Sequence, residues 1–302
     1  MTVIALTGGT GFVGSHVIDQ ALTAGLDLRA LTRRPQPERA GVTWIAGALD
    51  DPAGLAKLVK GADAVLHVAG VINAPDRAGF AAGNIEGTRA MIAAAQQAGI
   101  RRVVQVSSLA AREPGLSDYG WSKAEADKVL MASDLDWTIV RPPAIFGPRD
   151  NEMLELFKLA KKHVIPLPPV GGRLSVIAVE ELVRLLIALP ASNALTRQIV
   201  EPDDGRPDGW DHRDLARAIG VVTNSKVFPF PLPRIVLNAV AAADGLFRGK
   251  GAKLTPDRVR YFCHKDWVSH AAPPPEVWMP QTDTRDALAA TASWYRANGL
   301  LR

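Results

Sequence analysis

The sequence is poor in cysteine, since Cys263 is the single thiol among 302 residues. One thiol cannot form an internal disulfide bond, and it cannot supply the several thiolate ligands of a structural metal site. We therefore expect no disulfide framework and no metal ion. Because such a chain needs no oxidising environment, we expect it in the cytoplasm.

Long apolar segments are also missing. The most apolar stretch, residues 235–243, contains Asn238 and is followed by Asp244, which leaves it short of the roughly 20 residues that span a bilayer. Residues 1–6 lack the basic start and long apolar core of a secretory leader. We expect no transmembrane segment. For the apolar segment 227–250 three roles stay open, namely a lid, a peripheral membrane contact or a dimer contact, so the protein is expected to be a monomer or a homodimer.

Neither sign of charge dominates, since 35 Lys and Arg stand against 31 Asp and Glu. The basic residues are scattered as short doublets rather than gathered in a stripe, which argues against nucleic acid as a partner. The mild basic excess fits a small anionic ligand. A hydrophobic content of 47% and a charged content of 22% are typical of a globular protein.

Up to about residue 145, short β-branched runs alternate regularly with longer helical patterns. This alternation predicts βαβ units, and the nearly continuous apolar runs predict a parallel sheet that is covered on both faces. The predicted strands are Val3–Leu6, Leu28–Thr32, Val42–Ile45, Ala64–Val68, Val103–Val106 and Thr138–Val140.

Beyond residue 148 the pattern changes, because prolines cluster and strands become sparse. We predict one late strand, 197–200, that returns to the sheet, and helices over 180–189, 211–219, 233–246 and 285–298. The expected fold class is α/β: a Rossmann doubly wound parallel sheet over residues 1–148, with a small, mostly helical substrate domain over residues 149–302. Large side chains there form either that domain's core or a site for a small, apolar substrate molecule: Trp210, Phe228, Phe230, Leu232, Phe247, Trp267 and Trp278.

A glycine-rich turn follows the first predicted strand and opens a helical pattern. Its glycines lack a Cβ where a chain must turn tightly, approach a pyrophosphate and pack helix on strand. The N-terminus of the following helix would face the anion. The turn predicts a dinucleotide site that is held by Gly8, Thr10, Gly11, Phe12, Val13 and Gly14.

The end of the second predicted strand carries Arg33 and Arg34 and no carboxylate. An NAD-specific site places a carboxylate there for the ribose hydroxyls, whereas a guanidinium pairs with a 2′-phosphate through two parallel hydrogen bonds. We therefore predict that NADP(H) is preferred over NAD(H), with Arg33 as the main contact. The alternative is that both arginines are exposed loop charges.

Two hydroxyls and a Tyr-Lys pair follow the fifth predicted strand. Ser107 and Ser108 end that strand, while Tyr119 and Lys123 lie four residues apart at the start of a helical pattern, on one helix face. An ammonium beside the phenol is expected to lower the pKa of Tyr119, which then acts as acid or base while Ser108 holds the substrate carbonyl. We expect Ser107, Tyr119 and Lys123 to border the cofactor as well, with Lys123 on the nicotinamide ribose.

Taken in order, these motifs, together with residues 84–88 (NIEGT) and 141–148 (RPPAIFGP), resemble the extended short-chain dehydrogenase/reductases, the NAD-dependent epimerase/dehydratase-like superfamily, along the whole chain. The resemblance implies further cofactor contacts at positions that follow the other strands: Ala48, Leu49, His67, Ala69, Gly70, Asn84, Pro142, Ala144 and Ile145. His67 has a simpler alternative as a histidine packed in the core.

Three departures from the family pattern bear on function. Ala48 stands where the family usually has an aspartate against the adenine amine, Phe146 replaces a frequent tyrosine, and only ten residues separate Ser108 from Tyr119. These features look closer to atypical members, including relatives of the NADPH-binding accessory subunit of respiratory complex I.

The leading hypothesis is an NADP(H)-dependent oxidoreductase that reduces a carbonyl or oxidises an alcohol. Two alternatives stay open: an epimerase or dehydratase that uses its cofactor transiently, and a non-catalytic NADPH-binding assembly or sensor protein.

Overall fold

The structure is a computed structural model that describes residues 2–248 and 254–301. The chain divides into two compact units. The first comprises Met1–Pro142, Leu182–Glu201 and Pro273–Trp278, and the second comprises the stretches between and after these. The sequence places one boundary at residue 148, whereas the structure changes unit after residue 142 and returns two later stretches to the first unit. Residues 249 and 250, the end of the apolar segment considered above, lie outside the described residues.

The strands of the described residues are short, as strands in a compact α/β chain usually are. In chain order they are β1 (Val3–Thr7), β2 (Asp27–Thr32), β3 (Val42–Ala46), β4 (Ala64–His67), β5 (Arg102–Val106), β6 (Asp136–Val140), β7 (Ala144–Phe146), β8 (Val164–Leu167), β9 (Arg173–Leu174), β10 (Val176–Ala178), β11 (Gln198–Val200), β12 (Trp210–Asp211), β13 (Phe228–Pro231) and β14 (Asp266–Trp267).

The helices of the described residues are α1 (Phe12–Thr23), α2 (Pro52–Val59), α3 (Arg77–Phe80), α4 (Gly87–Gln97), α5 (Asp118–Met131), α6 (Glu152–Lys161), α7 (Val179–Ala188), α8 (His212–Val222), α9 (Arg234–Arg248), α10 (Pro256–Phe262) and α11 (Thr284–Ala297). A π-helical turn, Ala81–Glu86, precedes α4, and a 3-10 turn, Leu109–Arg112, precedes α5.

The first unit is built on a seven-stranded sheet with the order β11-β6-β5-β4-β1-β2-β3. All of its pairings are parallel; Leu6 of β1, for example, pairs with Ala30 on one side and Leu66 on the other. The doubly wound parallel sheet is thus confirmed, and so is the late strand that returns to it. The strand order reverses between β1 and β4, and this reversal leaves a crevice at the carboxyl ends of the strands.

The central strands of this sheet are buried on both faces, which explains their continuous apolar runs. Ile4, Leu6, Leu66 and Val104 have no exposed surface. Each such side chain stabilises the fold by about 2 kcal/mol relative to an exposed one. The six strands predicted before residue 145 are all present, because this two-sided burial makes their sequence signal strong.

The second unit packs helices and three small sheets around one core that includes Phe146, Phe157 and Tyr295. The sequence predicts this region to be mostly helical, and the structure adds strands of two to four residues in its described part. Such strands are too short to show an alternation in the sequence, and two of them contain proline. Trp210 and Trp267, which were candidates for substrate contact, are buried in the core.

Candidate active site

The two strand ends at the reversal of the sheet lie directly against each other. Gly8 follows β1 with a φ of +76°, and a Cβ at this position would lie 2.6 Å from the backbone nitrogen of Ala69, which follows β4. Thr7 also joins the two strand ends, since its Oγ1 accepts a hydrogen bond from the Ala69 nitrogen at 3.2 Å. Only glycine fits at position 8, so the backbone itself forms the floor of the crevice.

Helix α1 begins in this crevice with its first turn uncapped by any side chain. Its N-cap residue is Gly11, and the first turn holds no acidic residue. A Cβ on Gly14 would lie 2.0 Å from the Gly8 carbonyl oxygen, so the helix packs directly on the turn. The backbone N–H groups of this turn and the helix dipole suit a phosphate group. Residues 8–14 therefore form a cradle that fits the pyrophosphate of a dinucleotide.

Arg33 and Arg34 follow β2, the strand next to β1. Both side chains are exposed, and neither has a side-chain partner among the described residues. Thr32 fixes the bend of the chain here, because its hydroxyl donates to the Arg34 carbonyl oxygen at 2.6 Å. Two guanidinium groups without a carboxylate partner can accept an anionic ligand at no cost in broken ion pairs.

The first residues after β3, at positions 47–49, carry no charge. Ala48 and Leu49 are both half-buried. Leu49 packs on the start of α4, since a Cβ on Gly87 would lie 2.6 Å from its Cδ1. The position where the family often has an aspartate is thus part of an apolar wall.

His67 at the end of β4 is a buried residue whose ring nitrogens both have partners. Nδ1 lies 2.7 Å from Thr7 Oγ1, and Nε2 lies 3.3 Å from Thr88 Oγ1, which also donates to Gln105 Oε1. Burial, and then the positive charge of Lys123, lower the pKa of His67 to about 3. The imidazole is therefore neutral and serves to join β1, β4 and α4, as the core alternative predicts.

Asn84 is predicted to contact the cofactor, and its side chain is fully engaged within the protein. Its Oδ1 accepts from the Val71 nitrogen at 2.7 Å, and its Nδ2 donates to the Val71 oxygen and to Ser122 Oγ at 2.8 Å. Asn84 thereby fastens the loop after β4 to α5. A Cβ on Gly70, in the same loop, would lie 3.1 Å from Asn84 Oδ1. The position of this loop beside α5 thus depends on the Asn84 side chain.

The hydroxyl groups of Ser108 and Tyr119 come together at the carboxyl end of β5. Ser108 caps the 3-10 turn, where its Oγ accepts from the Ala110 nitrogen at 3.2 Å. Tyr119 is the second residue of α5, and the neighbouring hydroxyl of Ser108 acts to lower the pKa of its phenol. Ser107, in contrast, is buried beside Asp127. The geometry therefore selects Ser108, rather than Ser107, as the neighbour of Tyr119.

Two local features place Tyr119 at the start of α5. Ser117 is the N-cap, and its Oγ accepts from the Gly120 nitrogen at 2.9 Å. A Cβ on Gly120 would lie 2.6 Å from the Ala110 carbonyl oxygen, so only glycine lets the 3-10 turn approach the helix this closely. The short segment between Ser108 and Tyr119 is compact for this reason.

Lys123 lies one helical turn beyond Tyr119 and is buried. Its Nζ donates to the Val106 carbonyl oxygen at 2.9 Å and lies near Gly70, where a Cβ would be 3.5 Å away. Burial lowers the pKa of Lys123 to about 8, against the opposing effect of the Asp127 charge. At pH 7 the ammonium form still predominates.

The pKa of Tyr119 differs in direction from the sequence-based expectation. Burial raises the pKa, and the negative charge of Asp127 raises it as well, while the hydrogen bond with Ser108 opposes both. The expected lowering by Lys123 is therefore wrong for this arrangement. The physical reason is that a phenolate loses more hydration on burial than a neutral phenol does.

Asp127 completes a series of three functional positions at a spacing of four on α5. It is fully buried, its Oδ2 accepts from Arg141 Nε at 2.9 Å, and its Oδ1 accepts from Gln105 Nε2 at 2.8 Å. Burial raises the pKa of Asp127, and the positive charge of Arg141 opposes this. Sequence reasoning missed this residue. The signal that could have found it is the spacing, since positions 119, 123 and 127 share one helix face.

The Arg-Pro element is divided between the two units. Pro142 is the last residue of its stretch of the first unit, and its carbonyl oxygen accepts from the Leu109 nitrogen at 2.9 Å, next to Ser108. Ala144 and Ile145 lie in β7 of the second unit, where Ile145 pairs with Ile177 of β10. Their contact with a nicotinamide stays a prediction.

Two other features are absent from the described residues. No helix within 2–248 and 254–301 has both the length and the apolar character that crossing a membrane requires. Over the same part of the chain, no group of three or more His, Cys, Asp or Glu side chains is placed to hold a metal ion.

Comparison with known proteins identifies a protein family that this chain matches. The model of a family described as NAD(P)H-binding matches residues 8–162, which include the glycine turn, both arginines and the Ser-Tyr-Lys group. The match covers half of the chain.

Two relatives with established names align along nearly the whole chain. Ceramide reductase of Caulobacter vibrioides is 37% identical over 310 residues, covering 99% of this chain and 96% of the relative. Sterol demethylase protein B of Methylococcus capsulatus is 34% identical over 334 residues, covering 98% of this chain and 99% of the relative.

Solved structures share the fold at much lower identity. A UDP-glucose 4-epimerase from Thermotoga maritima, solved with UDP-glucose, has a TM-score of 0.73 at 16% identity and covers 99% of both chains. At this identity the likeness establishes the architecture alone.

Proposed function

The chain belongs to the extended short-chain dehydrogenase/reductases and is an NAD(P)-dependent oxidoreductase, and from this premise we propose that it uses NADPH to reduce a ketone on a lipid-like substrate. The proposal has three parts, which are the role of Tyr119 as proton donor, the preference for NADPH and the apolar nature of the substrate. Each has its own support and its own test.

The observation that carries the reductase assignment is the meeting of Ser108 and Tyr119 beside the nucleotide crevice. Both hydroxyls come from elements fixed by backbone contacts, namely the end of β5 and the first turn of α5. A carbonyl oxygen placed between them would accept a hydrogen bond from each. Two preorganised donors at one oxygen are the arrangement that stabilises the negative charge developing there.

The proposed step moves one hydride and one proton. When bound, reduced nicotinamide supplies the hydride that adds to the carbonyl carbon. As the C=O π bond breaks, the oxygen takes the proton of the Tyr119 hydroxyl, which leaves an alcohol and a phenolate. The hydroxyl of Ser108 donates to the same oxygen throughout, and solvent returns a proton to Tyr119 afterwards.

The charges around Tyr119 favour this direction of reaction. Because burial raises the pKa of Tyr119, the phenol carries its proton at neutral pH and is ready to donate it. The ammonium of Lys123, one turn away, then offsets the negative charge that the phenolate acquires. Lys123 is also placed to hold a ribose hydroxyl, since its Nζ lies beside the glycine loop after β4.

The preference for NADPH is supported by the exposed guanidinium groups of Arg33 and Arg34. They lie one strand away from the pyrophosphate cradle, and no carboxylate is found between residues 28 and 37. A 2′-phosphate at this point gains charge-assisted hydrogen bonds, whereas the neutral ribose of NADH gains none.

The substrate class is supported by two of the relatives that align along nearly the whole chain. Their names refer to ceramide and to sterol, two lipids with large apolar bodies and oxygen substituents. A nicotinamide hydride reduces ketones and not amides. We therefore expect the reacting group to be a ketone on the apolar skeleton.

The test is a ketone panel with the purified protein. We would follow NADPH absorbance with a ceramide whose long-chain base carries a ketone, with a 3-ketosteroid, and with a short water-soluble ketone. The expected result is one NADPH consumed per alcohol formed, with kcat/KM at least about tenfold higher for a lipid ketone than for the short one.

Other outcomes would identify the alternatives. Interconversion of a sugar nucleotide with no net loss of NADPH would replace the reductase by an epimerase. Tight NADPH binding without turnover of any ketone in the panel would indicate a non-catalytic binder and overturn the proposal.

A further inference from the structure

The long helix of the second unit, α9, carries apolar side chains on its exposed side. Ile235, Leu246 and Phe247 are 77%, 83% and 86% exposed, and Val236 and Val240 are exposed as well. A surface helix normally turns its apolar stripe to the core and its polar side to water. This helix does the reverse, so its outer side is suited to an apolar environment.

The inner side of α9 is already defined by the fold. Ala241 is buried and Leu237 is half-buried, at a spacing of four. The one carboxylate of the helix, Asp244, belongs to this side, because its Oδ2 accepts a hydrogen bond from the Leu254 nitrogen at 2.9 Å. The outer side therefore carries no negative charge.

The exposed apolar positions form one continuous stripe. Residues 235, 239, 242 and 246 follow one another at spacings of three and four, and residues 236, 240, 243 and 247 form the adjacent row. We call these two rows the outer surface of α9.

Positive charge is concentrated in the stretch of sequence that contains α9. Residues 226–265 hold eight Lys and Arg and two Asp, a net of +6, while the whole chain has a net charge of +4. Both aspartates have partners, since Asp244 accepts from Leu254 and Asp257 pairs with Arg260 at 3.0 Å. The remainder of the chain is therefore slightly negative, and the basic character belongs to this region.

The charge decides between the candidate occupants. Pairing of this surface with a second copy of the chain would bring two copies of this basic sequence segment together, which is electrostatically unfavourable. A bilayer with anionic headgroups offers both an apolar layer for the stripe and negative charge for the flanking cations. An amphipathic helix of this composition lies in the interface of such a membrane.

We propose that the outer surface of α9 docks on an anionic lipid bilayer, with the helix lying in the plane of the headgroups. Leu246 and Phe247 enter the acyl region, and Arg234, at the first position of the helix, stays with the phosphates. The docking surface goes beyond the reductase assignment and requires neither substrate nor cofactor.

The experiment is cosedimentation of the full chain with vesicles of phosphatidylglycerol and phosphatidylcholine, compared with vesicles of phosphatidylcholine alone. We expect the wild-type protein to bind the anionic vesicles at least tenfold more tightly, with binding weakened by 0.5 M NaCl as screening requires. Leu246→Ser combined with Phe247→Ser should weaken binding on the order of 100-fold, since two large apolar side chains lose their burial.

Two further variants make the test specific. Arg234→Glu should weaken binding to the anionic vesicles by roughly 30-fold and leave binding to neutral vesicles unchanged. Val221→Ser removes a valine that is 74% exposed on α8, outside the outer surface of α9, and should bind as the wild type does. All four substituted residues are exposed, so thermal unfolding should confirm that each variant is folded.

The result that overturns the proposal is equal vesicle binding by the double variant and the wild type. Loss of a dimer, rather than loss of vesicle binding, in the double variant would also overturn it and would assign the surface to a second copy. Failure of the reductase assignment is distinguishable, because vesicle binding without any ketone turnover would leave the docking surface in place.

Discussion

Arg141 donates its Nε hydrogen to Asp127 Oδ2 over 2.9 Å and so joins the residue after β6 to the middle of α5. Asp127 has no exposed side-chain surface, and Arg141 retains 15%. A buried pair of this kind is weak evidence for stability, but removing one partner leaves a buried charge uncompensated. Since Lys123 lies one turn before Asp127, the same carboxylate also influences the charge of the active site.

We predict that Asp127→Asn moves the pH profile of kcat to lower pH. The Asp127 carboxylate raises the pKa of both Tyr119 and Lys123, so its neutralisation lowers both. Lys123, whose pKa is about 8, should then lose its proton earlier, and the basic limb should fall by about one pH unit. The measurement is kcat with a turned-over ketone between pH 5.5 and 9.5.

The matched control for this variant is Glu125→Gln on the same helix, where the half-buried Glu125 pairs with the exposed Lys128 at 2.8 Å. Its profile should match that of the wild type. Asp127→Asn should also lower the free energy of unfolding by about 3 kcal/mol, because Arg141 loses its counter-charge. A loss of stability without any shift of the basic limb would limit Asp127 to a structural role.

Tyr119→Phe should lower kcat by 10²- to 10⁴-fold and leave the dissociation constant of NADPH within about twofold, because the variant removes the donated proton alone. Ser108→Ala should lower kcat by roughly 10²-fold, since one of two donors to the developing oxyanion is lost. Stopped-flow kinetics and fluorescence titration measure the two quantities. Ser293→Ala, an exposed serine of α11, is the control. Retained turnover in Tyr119→Phe would refute its role.

Arg33→Ser should weaken NADPH binding by about 10- to 100-fold while leaving NADH binding unchanged, because hydrogen bonds to a charged phosphate are worth about 1.5–3 kcal/mol. Isothermal titration with both nucleotides gives the ratio. Arg39→Ser offers a control, since Arg39 is exposed and already paired with Asp19 at 2.8 Å. Equal affinity of the wild type for the two nucleotides would contradict the prediction.

The sequence predicts the sheet well because two-sided burial leaves uninterrupted apolar runs such as residues 3–6. The choice of Ser108 over Ser107 follows from the strand end, and the structure places the Ser108 hydroxyl beside Tyr119. The sequence could not reveal the pair of Asp127 and Arg141, because the contact joins an α5 side chain to the end of a strand through tertiary packing. The direction of the Tyr119 pKa shift could not be predicted from the sequence for a related reason, since the burial that raises this pKa is a property of the folded chain.

The second unit was less predictable, and β8 and β13 show why. Each has only four residues and contains proline, which is rare inside a strand, so the sequence gives little signal for either. The exposed apolar side of α9 poses the opposite problem. Its periodicity predicts a helix correctly, but periodicity alone does not indicate which side the fold covers.

Gly14→Ala should lower NADPH affinity at least tenfold and destabilise the first unit by roughly 2 kcal/mol. The added Cβ would lie 2.0 Å from the Gly8 oxygen, and because the obstacle is backbone, the glycine turn itself must move. Gly245→Ala is the matched control, since its Cβ would meet nothing within 4 Å. This control should raise the free energy of unfolding by about 0.5–1 kcal/mol, because it replaces glycine inside a helix. Undiminished NADPH binding by Gly14→Ala would contradict the proposed cradle.

Asp150 in the second unit should make stability depend on pH between about 4 and 6. Its carboxylate accepts hydrogen bonds from the nitrogens of Glu152 and Met153, at 2.8 and 3.2 Å, yet burial raises its pKa to about 6. The folded state therefore binds this proton more tightly than the unfolded state does. The resulting stabilisation is complete below pH 4 and is lost as the pH rises through 6.

Asp150→Asn has no proton to lose, and its single side-chain oxygen can replace only one of the two carboxylate oxygens, so the variant also loses one hydrogen bond at every pH. Relative to the wild type, the variant should therefore gain stability steadily from pH 4.5 to pH 7, by on the order of 2 kcal/mol in total. Urea unfolding at intervals of half a pH unit measures this difference directly. A difference that stays constant over that range would mean that the Asp150 carboxylate ionises as easily in the folded chain as in the unfolded one, and that its burial beneath α6 carries no electrostatic cost.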